Sequence, residues 1–375
     1  MSTTVFIVPG SIGDPAAPSG GNRYDRRIAE ESARAGMPVR ELPLDGAWPD
    51  PSGAERARLS RALDGLPDGT PVLVDGLVAC GVPDVLAPAA ARLRLAVLVH
   101  LPLADEGGLR AERAEAYERA EGAVLRAAVR VVATSGHAAR DIARRHRLDP
   151  ARVHTVEPGT DRAPLAPGTD GASRLLCVAA VTPRKGQDLL AEALGRNRDR
   201  RWTCVMAGPL PSEAASPGGP SRPTFAERVE ERLGRHGIRD RVRFTGALGP
   251  SALDGEFACA DLMVLPSRAE TYGMVVSEAL ARGVPVLASG AGALPETVGR
   301  VSGGRVPGLL VPSGDASALA GALGRWWGDG ALRVGLRAAA RERRALLRSW
   351  RSAAADMARV LELLHGDRAA AEGTR

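Results

Sequence analysis

One pattern constrains this chain more than any other: short β-branched runs alternate with longer Ala/Arg/Glu/Leu stretches along its whole length. Strands separated by helix-length segments are the signature of parallel sheets with crossover helices. In the first half the strand-like runs fall at 4–8, 39–42, 71–74, 95–99, 129–133 and 153–156. In the second they fall at 175–181, 203–207, 242–244, 262–265, 284–288 and 309–311. Between the sets, residues 163–172 are rich in Pro and Gly, lack periodicity and read as a linker. The expected fold class is therefore α/β, with two Rossmann-like, doubly wound domains at 1–168 and 169–345. Ligand loops are expected at the carboxyl ends of the strands. The remainder, 346–375, is helical by composition and is expected to pack back on the first domain. A second proline-rich loop, 211–223, reads as an exposed excursion.

A chain of 375 residues with 44% hydrophobic residues can fill two cores. Residues Met1–Thr4 run directly into Val5-Phe6-Ile7-Val8 without a basic segment or cleavage site. No apolar run approaches the roughly 18 residues a membrane span needs. The expected location is the cytoplasm, with peripheral membrane contact left open. The four cysteines, Cys80, Cys177, Cys204 and Cys259, form no paired spacing and read as small core residues. The histidines show no metal-binding spacing either. A net charge of +6 raises the question of nucleic acid, but 3% aromatic residues give no base-stacking surface. No nucleic-acid partner is expected. The basic run Arg337, Arg341, Arg343, Arg344, Arg348 and Arg351 reads as a solvated helix face, with a docking surface for a phosphorylated or anionic partner as the alternative.

The chemistry concentrates in a few junctions. Lys185 is the only lysine among 50 basic residues. A chain that elsewhere uses arginine keeps a compact point charge here. It sits in Val181-Thr-Pro-Arg184-Lys185-Gly186, where a strand gives way to a helix. Two adjacent cations at such a junction suit a diphosphate. A second junction runs from Asp261 to Ser289 and places Glu270 after a strand, beside the helix that opens near Gly273. Amides at a helix N-terminus favour anionic ligands. Glu278 lies within that helix among Met274, Val275, Val276, Ala279, Leu280 and Ala281. A carboxylate on a helix apolar nearly all round needs donors, and vicinal sugar hydroxyls would supply them. Near the N-terminus, Pro18-Ser-Gly20-Gly21-Asn22 lets backbone approach a ligand closely. His100 ends its strand and is a candidate for the expected interdomain cleft.

Taken together, these segments resemble the retaining glycosyltransferases of the family 4 group, glycosyl transferases group 1. The resemblance rests on the Glu270-x7-Glu278 spacing, Arg184-Lys185-Gly186, Phe244-Thr-Gly-Ala-Leu248, Glu157-Pro-Gly-Thr-Asp161 and the Gly20-Gly21 loop. It implies a GT-B fold of two facing domains with the donor in the cleft between them. It also implies that a nucleotide-sugar donor is a substrate, that no cofactor or metal takes part, and that the acceptor is left unidentified. Arg184, Lys185 and Glu270 would be catalytic. Gly20, Gly21, His100, Gly186, Gly246, Leu248, Thr271, Tyr272, Gly273, Met274 and Glu278 would bind the donor. One departure stands out: many members carry an arginine five residues before the lysine, where this chain has Ala180. Alternative readings are a nucleotide-sugar epimerase on the same fold and a non-catalytic nucleotide-sugar-binding subunit.

Overall fold

The computed structural model describes residues 3–13, 19–210 and 223–372. Apart from Pro223, the expected excursion at 211–223 lies outside these residues, as does Pro18 of the Gly20-Gly21 loop. The chain divides into two compact units, one of Met1–Gly159 with Arg348–Arg375 and one of Thr160–Leu347.

In the first unit the elements run β1 (Val5–Pro9), α1 (Gly20–Arg34), β2 (Arg40–Leu44), α2 (Gly53–Asp64), β3 (Pro71–Asp75), α3 (Gly76–Ala79), α4 (Pro83–Ala89), β4 (Arg94–Val99), α5 (Ala111–Ala127), β5 (Arg130–Ala133), α6 (Gly136–His146) and β6 (Val153–Thr155). All six strands are parallel, in the order β2-β1-β3-β4-β5-β6. Central strands β1 and β3 are buried throughout and read as apolar runs rather than alternating ones, β3 ending in the buried Asp75. Helix α1 starts where the Ser19 hydroxyl accepts the Asn22 amide at 2.9 Å. It buries Tyr24, Asp25, Ile28, Ala29 and Ser32.

The final helix, α14 (Trp350–Glu372), packs against α1 within this unit. Trp350 meets Tyr24 edge-on at 6.0 Å, and Arg94 donates to the carbonyls of Leu364 and His365 at 3.1 and 2.7 Å. Gly159 makes the close approach here. A Cβ at that position would stand 2.2 Å from the Trp350 amide nitrogen.

The second unit runs β7 (Arg174–Val178), α7 (Gln187–Gly195), β8 (Thr203–Ala207), α8 (Phe225–Arg235), β9 (Val242–Gly246), α9 (Pro250–Cys259), β10 (Leu262–Leu265), α10 (Met274–Ala281), β11 (Val286–Ser289), α11 (Leu294–Val298), β12 (Gly308–Val311), α12 (Ala316–Gly328) and α13 (Gly330–Arg344). Its sheet is also parallel, ordered β12-β11-β10-β7-β8-β9. Alternate side chains feed two cores. Leu175, Cys177, Leu262 and Val264 pack with α7, α8 and α12, whereas Leu176, Met263 and Leu265 pack with α10 and α11. None of the described helices is long and apolar enough to cross a membrane.

Three expectations need correction. The Pro/Gly-rich stretch at 163–172 is not a free linker. Ala166 and Gly168 donate to the carbonyls of Arg282 and Ala258, each at 2.9 Å, and the buried Asp261 carboxylate accepts from Thr169, Gly171 and Arg174. The second unit therefore begins before residue 168, at Thr160. The basic run is a solvated face only in part, at the exposed Arg341 and Arg351. Arg343 and Arg344 donate to the carbonyls of Val298 and Ala163, Arg337 faces Asp261 at 3.6 Å, and Arg348 pairs with Asp356. Among the cysteines, Cys259 at the end of α9 is exposed, while the other three are buried.

Candidate functional site

In the second unit, two strand-to-helix junctions lie side by side because β7 and β10 are neighbours in the sheet. After β7, a single helical turn at Pro183–Lys185 presents Arg184 and Lys185, and α7 follows. Gly186 ends that turn with φ +71, and a Cβ there would lie 2.2 Å from the Pro266 carbonyl oxygen. Only glycine allows the two loops to come this close. Arg268 fastens them further. Its amide donates to Arg184 O at 2.7 Å, and its guanidinium donates to Pro183 O at 2.6 Å and grips Asp188 at 2.8 and 2.7 Å.

Across this seam Lys185 Nζ meets Glu270 Oε1 at 2.5 Å. The same oxygen accepts the Ser267 hydroxyl at 2.8 Å, and Glu270 is 7% exposed. Burial would push this carboxyl upward. The charges of Lys185 and Arg184, with the hydrogen bonds from Lys185 and Ser267, hold it below the usual glutamate range. The Glu270 backbone is fixed as well: its carbonyl accepts the Ala293 amide at 2.9 Å. A Cβ on Gly292, at φ +55, would stand 2.0 Å from that oxygen. Arg184 Nη1 reaches the Ala269 carbonyl at 3.5 Å.

Thr271 and Tyr272 lead to Gly273, which caps α10 in the left-handed region at φ +85. A Cβ on Gly273 would strike Leu294 at 2.6 Å. Met274 begins α10, and Glu278 is buried one turn further on, among fully buried Val276, Ala279 and Leu280. Gly246 ends β9 at φ +68 and Leu248 is half-buried just beyond. Arg184, Lys185, Gly186, Glu270 and the run to Met274 are thus assembled around the carboxyl ends of β7 and β10. Glu278 lies further along α10, whereas Gly246 and Leu248 belong to the end of β9 and the turn beyond it.

The first unit has a separate polar cluster. Gly20 and Gly21 open α1 rather than forming a loop before it. A Cβ on Gly21 would lie 3.1 Å from His100 Cδ2. His100, just past β4, has its Nε2 at 2.8 Å from Asp25 Oδ1 and 3.3 Å from Asp75 Oδ2. The side chains of Asp25 and Asp75 are 0% and 4% exposed, and that of His100 is 19%. Tyr24 stands edge-on to the imidazole at 5.1 Å. Sequence reasoning found the histidine but neither carboxylate, and it saw no grouping of this kind. Asp25, Asp75 and His100 are 50 and 25 residues apart and meet only because β1, β3 and β4 adjoin. Ser267, Arg268 and Gly292 were missed as well. The first two flank the Glu270 motif and could have been included with it.

The geometry agrees with three comparisons. Residues 172–329 match the family described as glycosyl transferases group 1. The chain is 34% identical over 221 residues to D-inositol 3-phosphate glycosyltransferase 2 of Catenulispora acidiphila, covering 54% of this chain and 50% of that protein. It is 31% identical over 257 residues to D-inositol 3-phosphate glycosyltransferase of Jonesia denitrificans, covering 64% and 58%. The chain thus spans about half the length of the curated relatives it matches. In fold it is similar to sucrose-phosphate synthase from Thermosynechococcus elongatus, with TM-score 0.75, 24% identity and coverage of 98% and 100%. It is also similar to Anabaena HepE in complex with UDP-glucose, with TM-score 0.73, 17% identity and coverage of 96% and 100%. The two parallel α/β units are those of the GT-B fold.

Proposed function

We propose that this chain, whose residues 172–329 match the family of glycosyl transferases group 1, transfers a sugar from a nucleoside diphosphate sugar to an acceptor hydroxyl, with retention of the anomeric configuration and without a metal ion. The observation that carries this reading is the seam at which Lys185 meets Glu270 at 2.5 Å, with Arg184 alongside and the amides of 271–274 opening α10.

Cleavage of the bond between the anomeric carbon and its phosphate oxygen leaves positive charge on the sugar and sends the electron pair to the diphosphate. Lys185 and Arg184 are fixed cations next to one another. Stabilisation by preorganised charge grows as the leaving group becomes more negative. Glu270, ionised and buried, can accept from sugar hydroxyls while it orients Lys185. Glu278 is assigned to the ribose, Gly246 and Leu248 to the border of the base, and Gly186 and residues 271–274 to the phosphates and sugar. From the first unit, Gly20, Gly21 and His100 are assigned to the donor. The acceptor oxygen bonds to the anomeric carbon, and its proton passes to the departing phosphate oxygen. No protein nucleophile is assigned.

The relatives suggest where to begin. UDP-glucose is the first donor to try, and a phosphorylated polyol such as inositol phosphate the first acceptor. Free nucleoside diphosphate should appear with an acceptor and not without it. Release of an altered nucleotide sugar without acceptor would instead make the chain an epimerase, and binding without turnover would make it a binding subunit. Excess EDTA should leave the rate unchanged. Complete loss, restored by magnesium or manganese, would overturn the metal-free reading.

A further inference from the structure

The Asp25–His100–Asp75 cluster holds more negative charge than a structural histidine needs. One carboxylate is enough to fix an imidazole's tautomer, yet here two share one ring nitrogen, at 2.8 and 3.3 Å. Each carboxylate comes from a separate element, α1 and β3. The second oxygen of Asp75 is used by the Leu77 amide at 2.6 Å. The second oxygen of Asp25 is buried and has no hydrogen-bond partner. Leaving a buried carboxylate oxygen unpaired is costly unless a nearby cation compensates. The ring itself is confined, with Tyr24 on its edge and Gly21 alongside with no side chain. His100 is the most exposed member of the cluster, so any contact with a ligand falls to it.

We propose that Asp25 and Asp75 are positioning residues for the transfer reaction, clamping His100 in one orientation as a permanent imidazolium. The proposal rests on the glycosyl-transfer reading above, in which His100 serves the donor. Two carboxylates facing Nε2 make it a hydrogen-bond donor, and their charge keeps the ring protonated where a free histidine would have lost its proton. Burial works against the charged ring, but Asp25, followed by Asp75, raises His100 to about 10. Burial and the neighbouring Asp75 charge raise Asp25 to about 7, against the pull of His100, while Asp75 is held below its usual range by His100 and Asp25 despite burial and is the carboxylate that stays charged beside the ring. The other groups facing the cluster are Tyr24, pushed well above its usual range by burial, Arg348, which acts on Tyr24, and Cys80, whose thiol is raised by burial, then by Glu121 and Asp75. Arg348 is the cation among these groups and acts on Tyr24, whereas the charges that act on His100 are those of Asp25 and Asp75, which hold its proton.

The test uses the full chain with labelled histidine and follows the ring nitrogens by NMR from pH 6 to 9. His100→Gln identifies the His100 signals among the six histidines. The wild-type ring should stay protonated throughout, and in Asp25→Asn it should titrate inside that window. Turnover of UDP-glucose with an acceptor should then fall at least about tenfold from pH 6 to 9 in Asp25→Asn, reflecting loss of one stabilising charge. The wild type should change less than about twofold, as expected for a group that keeps its charge. An equal loss at both pH values would mean a merely structural role and would overturn the proposal. So would a wild-type ring that deprotonates below pH 8, or zinc binding to the wild type that Asp25→Asn abolishes. If Asp25→Asn does not fold, Asp75→Asn decides by the same readings. If no nucleotide sugar is turned over at all, the functional reading fails, and the NMR titration alone decides whether the clamp exists.

Discussion

Each of the two units has its own parallel six-stranded sheet, yet their polar clusters have opposite electrostatic character. In the second unit two cations, Arg184 and Lys185, surround one buried carboxylate, Glu270. In the first, two buried carboxylates surround one imidazole. A surplus of fixed positive charge is suited to receiving a diphosphate. A surplus of negative charge is suited to holding a cation of the protein's own. The same architecture therefore supports two uses of strand carboxyl ends, a distinction set by side chains rather than by topology.

The largest effect expected is on the second unit's seam. Lys185→Ala should lower turnover roughly a hundredfold, the scale of removing one charge stabiliser from a reacting centre. The same variant should be less stable at neutral pH. Glu270 has a lowered pKa, so its pairing contributes stability above the unfolded value of 4.5 that is lost as the pH falls. Without Lys185 the carboxylate keeps its burial and loses its nearest cation. Chemical denaturation should show a deficit of about 1–2 kcal/mol at pH 7, discounted from fully buried pairs because Lys185 is part-exposed. The deficit should shrink towards pH 3; one that is the same at pH 3 and pH 7 would separate Lys185 from Glu270.

Next in size is Gly292→Ala. The new Cβ would press on the Glu270 carbonyl and force a left-handed backbone on alanine. A cost of about 2–3 kcal/mol is expected from the clash and the strained φ together. The purified variant's denaturation midpoint and donor affinity should fall together. Normal affinity would show that Glu270 does not need its backbone anchor. Glu278→Gln should weaken donor binding about tenfold, the loss of one charge-assisted hydrogen bond, with the melting temperature retained. Unchanged affinity by calorimetry would make Glu278 structural. Smallest is Asp68→Ala, which removes an exposed partner of Arg92 at 3.1 Å. It should change stability by less than about 0.5 kcal/mol and leave donor binding untouched.

What the sequence disclosed follows the same divide. All twelve expected strands form, in order; the central ones are apolar runs buried in a parallel sheet, while edge strands β2 and β6 are mostly exposed or half-buried. The boundaries differ by a few residues; β7, for example, ends at Val178 rather than 181, where the chain turns toward the Arg184 loop. The second unit's site was legible because its residues fall in two contiguous motifs at strand–helix junctions. The first unit's cluster was not, since Asp25, Asp75 and His100 carry no local signature and are united only by strand order. The linker and the basic run were misread for one reason. Polar and proline-rich composition suggests exposure, but Asp261 and the carbonyls of Ala163 and Val298 give those segments buried partners.

The central claim is that the Lys185–Glu270 seam receives a nucleoside diphosphate sugar. Calorimetric titration of a nucleotide-sugar panel, beginning with UDP-glucose, into wild type and Lys185→Ala tests it most directly. At least one nucleotide sugar should bind the wild type, and Lys185→Ala should weaken that binding at least about tenfold, consistent with losing a charged contact. No binding by the wild type to any nucleotide sugar, or equal binding by both proteins, would contradict it.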